Sequence, residues 1–290
     1  MKIGRSNMRA SRRAALVGLA GATLCIGAVA MAQDTPAPAP APAAPPAQAP
    51  EAPLMGAARL RADAEAAGEL VSSELAMQFL DSARSVEDIE PRTVFVDPPT
   101  RTFYTPEEAA QFDEAKRSGL REIKLTTDRY LGAYYGTPIA YVRAIDLIGS
   151  CGVQPAFQAF GGRRIMDFGH GGIGQLRMMA SCGADVVGVD VDSFQRVMYR
   201  EPSDQGPIPG HEGLPGGKVT LVNGQWPADE KAREAVGGGY DLILSKNTLK
   251  RGYIHPEREA DPKQLVHLGV TDEEFIKAAF DALKPGGLLV

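Results

Sequence analysis

The residues best suited to chemistry lie in one short run, Asp167-Phe168-Gly169-His170-Gly171-Gly172-Ile173-Gly174. It contains G-x-G-x-x-G at Gly169, Gly171 and Gly174, between a strand-like and a helix-like segment. Glycine permits a tight turn there and lets a ligand approach bare backbone amides. Many nucleotide-binding proteins share such a loop, so its neighbours decide what it means. Asp167 stands two residues ahead of the first glycine, where a nicotinamide fingerprint usually has an apolar residue. Asp190 follows Gly169 by 21 residues and closes the next strand-like run. A carboxylate at that position can accept from both hydroxyls of a ribose. Side chains able to act as a general base lie in the long stretch 246–270. That stretch offers Lys246, Asn247, Tyr253, His255 and His267.

The elements that must hold these residues follow from the apolar pattern. Arg164-Ile165-Met166-Asp167-Phe168 reads as a short buried strand, and a helix runs from the glycines to about Cys182. Val186-Val187-Gly188-Val189 is a second strand, Val219-Thr220-Leu221-Val222 a third and Asp241-Leu242-Ile243-Leu244 a fourth. Helices are expected at Ser193–Tyr199 and Glu273–Leu283. A Pro/Gly-rich loop fills 201–217, and Leu283-Lys284-Pro285-Gly286-Gly287 turns into a fifth strand opening at Leu288. Strands alternating with helices predict a parallel sheet covered on both faces. Ligands of such sheets bind at the carboxyl ends of the strands, where strand order reverses. Ahead of this lies a helical region, 54–160, with helical spacing at Leu54–Ala83 and Pro138–Ile148. A helix at Thr105–Ser118 has Thr105 as its cap. The proline-flanked stretch 91–103 reads as irregular.

Taken together, the glycine loop, the Asp190 strand end and the Leu-Lys-Pro-Gly-Gly turn make residues 161–290 resemble a class I S-adenosylmethionine-dependent methyltransferase. The resemblance implies an α/β fold: a Rossmann-like, doubly wound, mostly parallel sheet. It is incomplete at its C-terminal strands, because the family's sheet has seven strands and this chain ends inside the fifth. The expectation is therefore a fragment or a truncated product with an exposed apolar edge. The resemblance also implies the site. Asp167 and the loop of Gly169, His170, Gly171, Gly172 and Gly174 would hold the methionine part of S-adenosyl-L-methionine. Asp190 would take the ribose, and Val191 would pack near the adenine. Gln225 stands where the family often has an acid for the adenine amino group, and its carbonyl can accept the same bond. Ser245, with Lys246 and Asn247, would border the reaction centre. No Asn-Pro-Pro-Tyr follows the fourth strand, where Ser245-Lys246-Asn247-Thr248 stands, which disfavours methylation of nucleobase or amide nitrogen. The acceptor stays unidentified.

The rest of the chain bears on place and partners. Residues 1–32 carry five bases and no acid, an apolar stretch Ala14–Ala30, and small-x-small sites ending at Ala30 and Ala32. This predicts an export signal cleaved after Ala32 and a periplasmic or secreted protein. Ser11-Arg12-Arg13-Ala14-Ala15-Leu16 resembles the twin-arginine class, which exports folded proteins. The alternative is an uncleaved membrane anchor. Residues 33–53 hold eight prolines and eight alanines and read as an extended tether. Without the five leader bases, 26 basic residues face 36 acidic ones, leaving a net charge of −10. Such a body is poorly suited to nucleic-acid phosphates. Three cysteines with no C-x-x-C pair give no zinc ribbon and no metal site.

Several residues allow plainer readings. His170 is either a solvent-facing turn residue or a cofactor contact. Tyr134 and Tyr135 either close over the cofactor or pack in a turn between helices, and Trp226 is either core or an adenine neighbour. Cys151 and Cys182 either bridge or stay free, with Cys182 expected to be a small buried residue. For function, a non-catalytic nucleoside-binding module and an NAD(P)-dependent oxidoreductase stand beside methyl transfer. Cofactor supply weighs against an exported enzyme, because the sulfonium cofactor is made in the cytoplasm.

Overall fold

The computed structural model describes residues 53–151, 157–246, 266 and 268–290. The first stretch opens with α1 (Gly56–Gly68) and α2 (Glu74–Asp81). Next come β1 (Arg92–Asp97), β2 (Thr102–Tyr104), α3 (Pro106–Ala110), α4 (Glu114–Ser118) and β3 (Arg121–Leu125). It closes with α5 (Thr127–Gly132) and α6 (Val142–Ser150). Thr105 caps α3 as expected, in a reciprocal capping box with Glu108. The helix stops at Ala110, however, and Asp113 restarts the chain as α4.

The largest departure from the sequence reading is at 91–103. That stretch is a hairpin, and β3 completes an antiparallel sheet in the order β2-β1-β3. Val94 and Val96 alternate inward along β1, which gives the strand its buried face. The flanking prolines lie outside β1 and so remove none of its ladder bonds. The expected helical region is thus a mixed one.

The second stretch alternates as predicted. β4 (Arg164–Phe168), α7 (Gly174–Ser181), β5 (Asp185–Asp190) and α8 (Ser193–Met198) lead to a short β6 (Gly206–Pro207) and β7 (Lys218–Asn223). Then come α9 (Glu230–Val236), β8 (Tyr240–Leu244), α10 (Asp272–Ala282) and β9 (Leu283–Leu289). The sheet order is β6-β7-β5-β4-β8-β9, parallel throughout except for β6. From β4 the chain steps outward to β5 and β7, then returns to β8 on the other side. Strand order therefore reverses between β4 and β8.

Two further details differ from expectation. The loop 201–217 contributes the antiparallel edge strand β6, and α9 was not foreseen. Leu283 already pairs with Tyr240, whereas the next partners are Leu242 and Leu288. The Lys284–Gly287 turn is thus a bulge inside β9, with Gly286 at φ 81° and Lys284 ion-paired to Asp241. β9 lies at the sheet edge, with Leu289 and Val290 partly exposed.

Alternation along the strands divides the core. Ile165 and Val186 face one way, into a cluster that also takes in Leu60, Phe79, Val94 and Leu125. Met166, Val187 and Ile243 face the other way, onto α10 through Phe275. One core therefore serves both the mixed region and the parallel sheet. Arg92 of β1 fastens the two through a bidentate pair with the fully buried Asp204, at 2.7 and 2.9 Å. Tyr130 of α5 donates to the same carboxylate at 2.8 Å. Cys182 is buried and Cys151 exposed, and both are free thiols. Among the described residues no helix is long and apolar enough to cross a membrane.

Candidate functional site

The glycine loop leaves the carboxyl end of β4 at the point where strand order reverses. Gly169 and Gly171 take φ of 69° and 57°, values that favour glycine. Gly169 N donates to Val189 O at 2.8 Å, and Gly172 N to His170 O at 2.6 Å, so the loop turns tightly against β5.

Asp167 lies directly behind the loop and is fully buried. One oxygen accepts from Gln175 Nε2 at 3.0 Å, the other from Tyr141 Oη at 3.2 Å. Gln175 Nε2 also reaches the loop carbonyls of His170 and Gly172, at 2.7 and 2.8 Å. Burial pushes the Asp167 carboxyl up to about 6, against the opposing pull of the Gln175 and Tyr141 hydrogen bonds. Neither Gln175 nor Tyr141 was singled out from the sequence. Gln175 is a lone polar residue at the first turn of α7, and Tyr141 lay unremarked within the helical run after Pro138.

His170 does not face solvent. It is buried, with Nδ1 donating to Gly172 O at 2.9 Å and its ring 6.0 Å from that of Tyr199. A Cβ on Gly188 would come within 3.1 Å of this ring, so β5 needs its glycine there to admit the imidazole.

Asp190 is half-buried at the end of β5. Its Oδ2 accepts from Gly171 N at 3.3 Å and its Oδ1 from Asp192 N at 3.0 Å. Each oxygen keeps acceptor capacity beyond these bonds. Asp192, not Asp190, caps α8, through Phe194 N at 2.7 Å. Val191 is half-buried between them. Gln225 is exposed after β7, with its backbone carbonyl accepting from Asp229 N. Trp226 goes to the core, packed edge-on against Phe275.

The glycines also admit protein. A Cβ on Gly172 would lie 2.8 Å from Leu131 O, and one on Gly174 would lie 2.2 Å from Pro138 Cγ. A Cβ on Gly171 would meet the Tyr135 ring at 2.7 Å. Tyr135 Oη is 3.0 Å from Gly169 O and 3.1 Å from Lys246 O, donating to one or the other. Tyr134 N donates to Gly171 O, and Tyr134 Oη to Asp192 Oδ2 at 2.8 Å. Both tyrosines thus lie on the loop and on its carboxylate neighbour.

Ser245 and Lys246 follow β8. The Ser245 hydroxyl is buried with no hydrogen-bond partner among the described residues. Lys246 Nζ lies 4.3 Å from the Tyr135 ring centroid and 5.3 Å from that of Tyr141. Asn247, Tyr253, His255 and His267 lie outside the described residues. Acceptor capacity for an adenosyl ligand remains at Asp190, and the Ser245 hydroxyl has no partner among the described residues. Over Gly171 the space is held by Tyr135. Among the described residues no group of three or more His, Cys, Asp or Glu side chains is arranged to hold a metal ion.

Compared with known proteins, the chain matches no protein-family model, and no curated protein matches it significantly.

Proposed function

We propose that the chain binds S-adenosyl-L-methionine and transfers its methyl group to a small-molecule or protein acceptor. One observation carries this reading. The Asp190 carboxylate stands against the Gly171 amide at the carboxyl ends of adjacent parallel strands, beside the reversal of strand order. That is where an open α/β sheet takes a nucleotide. The bound cofactor supplies a methyl already activated as a sulfonium, so the protein's task is chiefly proximity and alignment. Asp190 would accept from the ribose hydroxyls. The Gly169–Gly174 loop, braced from behind by Asp167 and Gln175, would hold the methionine part. Val191 and Gln225 would border the adenine. The Ser245 hydroxyl would orient the ligand or its acceptor at the end of β8. The leader and the Pro/Ala tether support export, and the acidic body supports an acceptor other than nucleic acid.

Titration calorimetry of the full chain tests the reading, with S-adenosylmethionine, S-adenosylhomocysteine and NAD(H) as separate ligands. Both adenosyl ligands are expected to bind and NAD(H) is not. No heat and no thermal shift with either adenosyl ligand would overturn the proposal. Selective binding of NAD(H) would move the chain to the oxidoreductases.

A further inference from the structure

A second concave surface lies between α2 and the loop that leads into β7. Glu74, Gln78 and Asp81 stand at i, i+4 and i+7, so they line one face of α2. Facing them are His211, Glu212 and Leu214. Leu214 N donates to His211 O at 2.9 Å, and His211 N donates to Ser181 O at the end of α7, also at 2.9 Å. The second wall is therefore a closed turn tied to a helix. With Ser72 and Met77 completing the lining, the groove holds about 440 Å³. That volume suits a small molecule.

The lining selects the chemistry of an occupant. Glu74, Asp81 and Glu212 bring three carboxylates, and Arg84 spans Asp81 and Glu212 at 3.7 and 3.0 Å. His211 is more than nine-tenths buried, and its Nε2 has no hydrogen-bond partner among the described residues. A buried nitrogen left unpaired costs free energy that a donor would restore. Nε2 lies 3.7 Å from Glu212 Oε1, close enough for one ammonium to donate to both. Met77 and Leu214 add exposed apolar side chains to the same lining. Glu74 and Asp81 are separated along α2 by a rise of roughly 10 Å, so negative charge is spread along the groove. No three of the described acids or His211 are gathered to hold a metal ion. An occupant whose positive charges are separated by methylene groups meets the carboxylates and the apolar patches together.

We propose that this groove binds a linear polyamine. One ammonium donates to His211 Nε2 and Glu212 Oε1, the methylenes lie over Met77 and Leu214, and a second ammonium pairs with Glu74. His211 is tied to the C-terminal end of α7, whereas the glycine loop precedes its N-terminal end. The groove is thus distinct from the candidate adenosyl site, and the inference does not rest on the adenosyl reading.

Titration calorimetry of the full chain with spermidine at low ionic strength provides the test. Spermidine is expected to bind at one site, at least about tenfold more tightly than ethylamine, which carries a single ammonium. Glu74→Gln should weaken spermidine about threefold to tenfold, and His211→Leu by a similar factor. Glu74 is exposed, so Glu74→Gln keeps the test sound even where His211→Leu disturbs folding. Glu65→Gln removes an equal charge from the exposed side of α1 outside the groove and should change affinity by less than about twofold. No heat with spermidine, or equal weakening by Glu65→Gln and Glu74→Gln, would overturn the inference. Tighter binding of tetralysine or of magnesium ion than of spermidine would also overturn it, in favour of a basic peptide or of diffuse charge attraction.

Discussion

Two glycine-rich loops lie at opposite ends of the parallel strands, and they use glycine differently. In 209–217, which leads into β7, the close neighbours are backbone. A Cβ on Gly210 would lie 1.7 Å from Leu214 O, one on Gly216 would lie 2.1 Å from Ile208 O, and one on Gly217 would lie 2.0 Å from Ala184 O. In 169–174, Gly171 is faced by the ring of Tyr135, a side chain rather than backbone. The first loop is closed by atoms that cannot leave without unfolding. The second meets a side chain at its central glycine and the Leu131 carbonyl at Gly172 and Gly174. Glycine content alone therefore does not say what a loop's glycines face.

Substitution can break that contrast. Gly217→Ala sets a methyl against the backbone of Ala184 and is expected to cost about 3 kcal/mol, read from the urea midpoint. Gly171→Ala mainly bears the left-handed backbone penalty of about 1–2 kcal/mol. It should also weaken adenosyl ligand binding. Equal stability losses in the two variants would remove the distinction.

Acid titration sharpens it from the side of Asp167. The folded carboxyl titrates near 6, above its ordinary value of 3.8. The folded state therefore holds this proton more tightly than the unfolded state does. Below about pH 4 the group costs nothing. Its cost grows as pH rises and reaches roughly 3 kcal/mol above pH 6. Asp167→Asn should flatten that part of the stability curve and be more stable than the native chain at pH 7. Urea midpoints between pH 4 and pH 7 measure both effects. Identical curves for the two proteins would mean that the carboxylate is not strained by burial.

Smaller effects separate binding from packing at the same loop. Asp190→Asn removes a half-exposed charge and should lower S-adenosylmethionine affinity about tenfold by calorimetry. Its urea midpoint should move little. Tyr134→Phe loses one hydrogen bond to Asp192, worth about 0.5–1 kcal/mol of stability. A larger loss there than in Gly171→Ala would make Tyr134 a pillar of the loop.

Much of the parallel sheet was legible because its central strands are apolar runs bounded by turn residues, as at Ile165–Phe168 and Val186–Val189. The hairpin at 92–104 was hidden by the prolines that frame it. Helix α9 was hidden because only Ala232 and Val236 of its seven residues are buried, too few to set a period. In the candidate site, residues carried by local spacing were visible: the glycines, Asp167 and Asp190. Gln175 and Tyr141 were not, because their roles depend on contacts with Asp167 across 8 and 26 residues. The sequence leaves His170 undecided between solvent and site because its burial depends on Gly188 of β5, which no local pattern reports.

The anchoring of α5 has a mechanical consequence. Tyr130 is pinned by Asp204 and by Tyr199, whose hydroxyl donates to its carbonyl, while Pro138 is wedged against Gly174 a few residues later. The tyrosine pair rides on the short span between those fixed points, which includes Ala133 and Gly136, both at positive φ. Such a span has little slack. Displacing the Tyr135 ring from Gly171 therefore calls for rotation about its own side-chain bonds, because the backbone that carries it is tied at both ends.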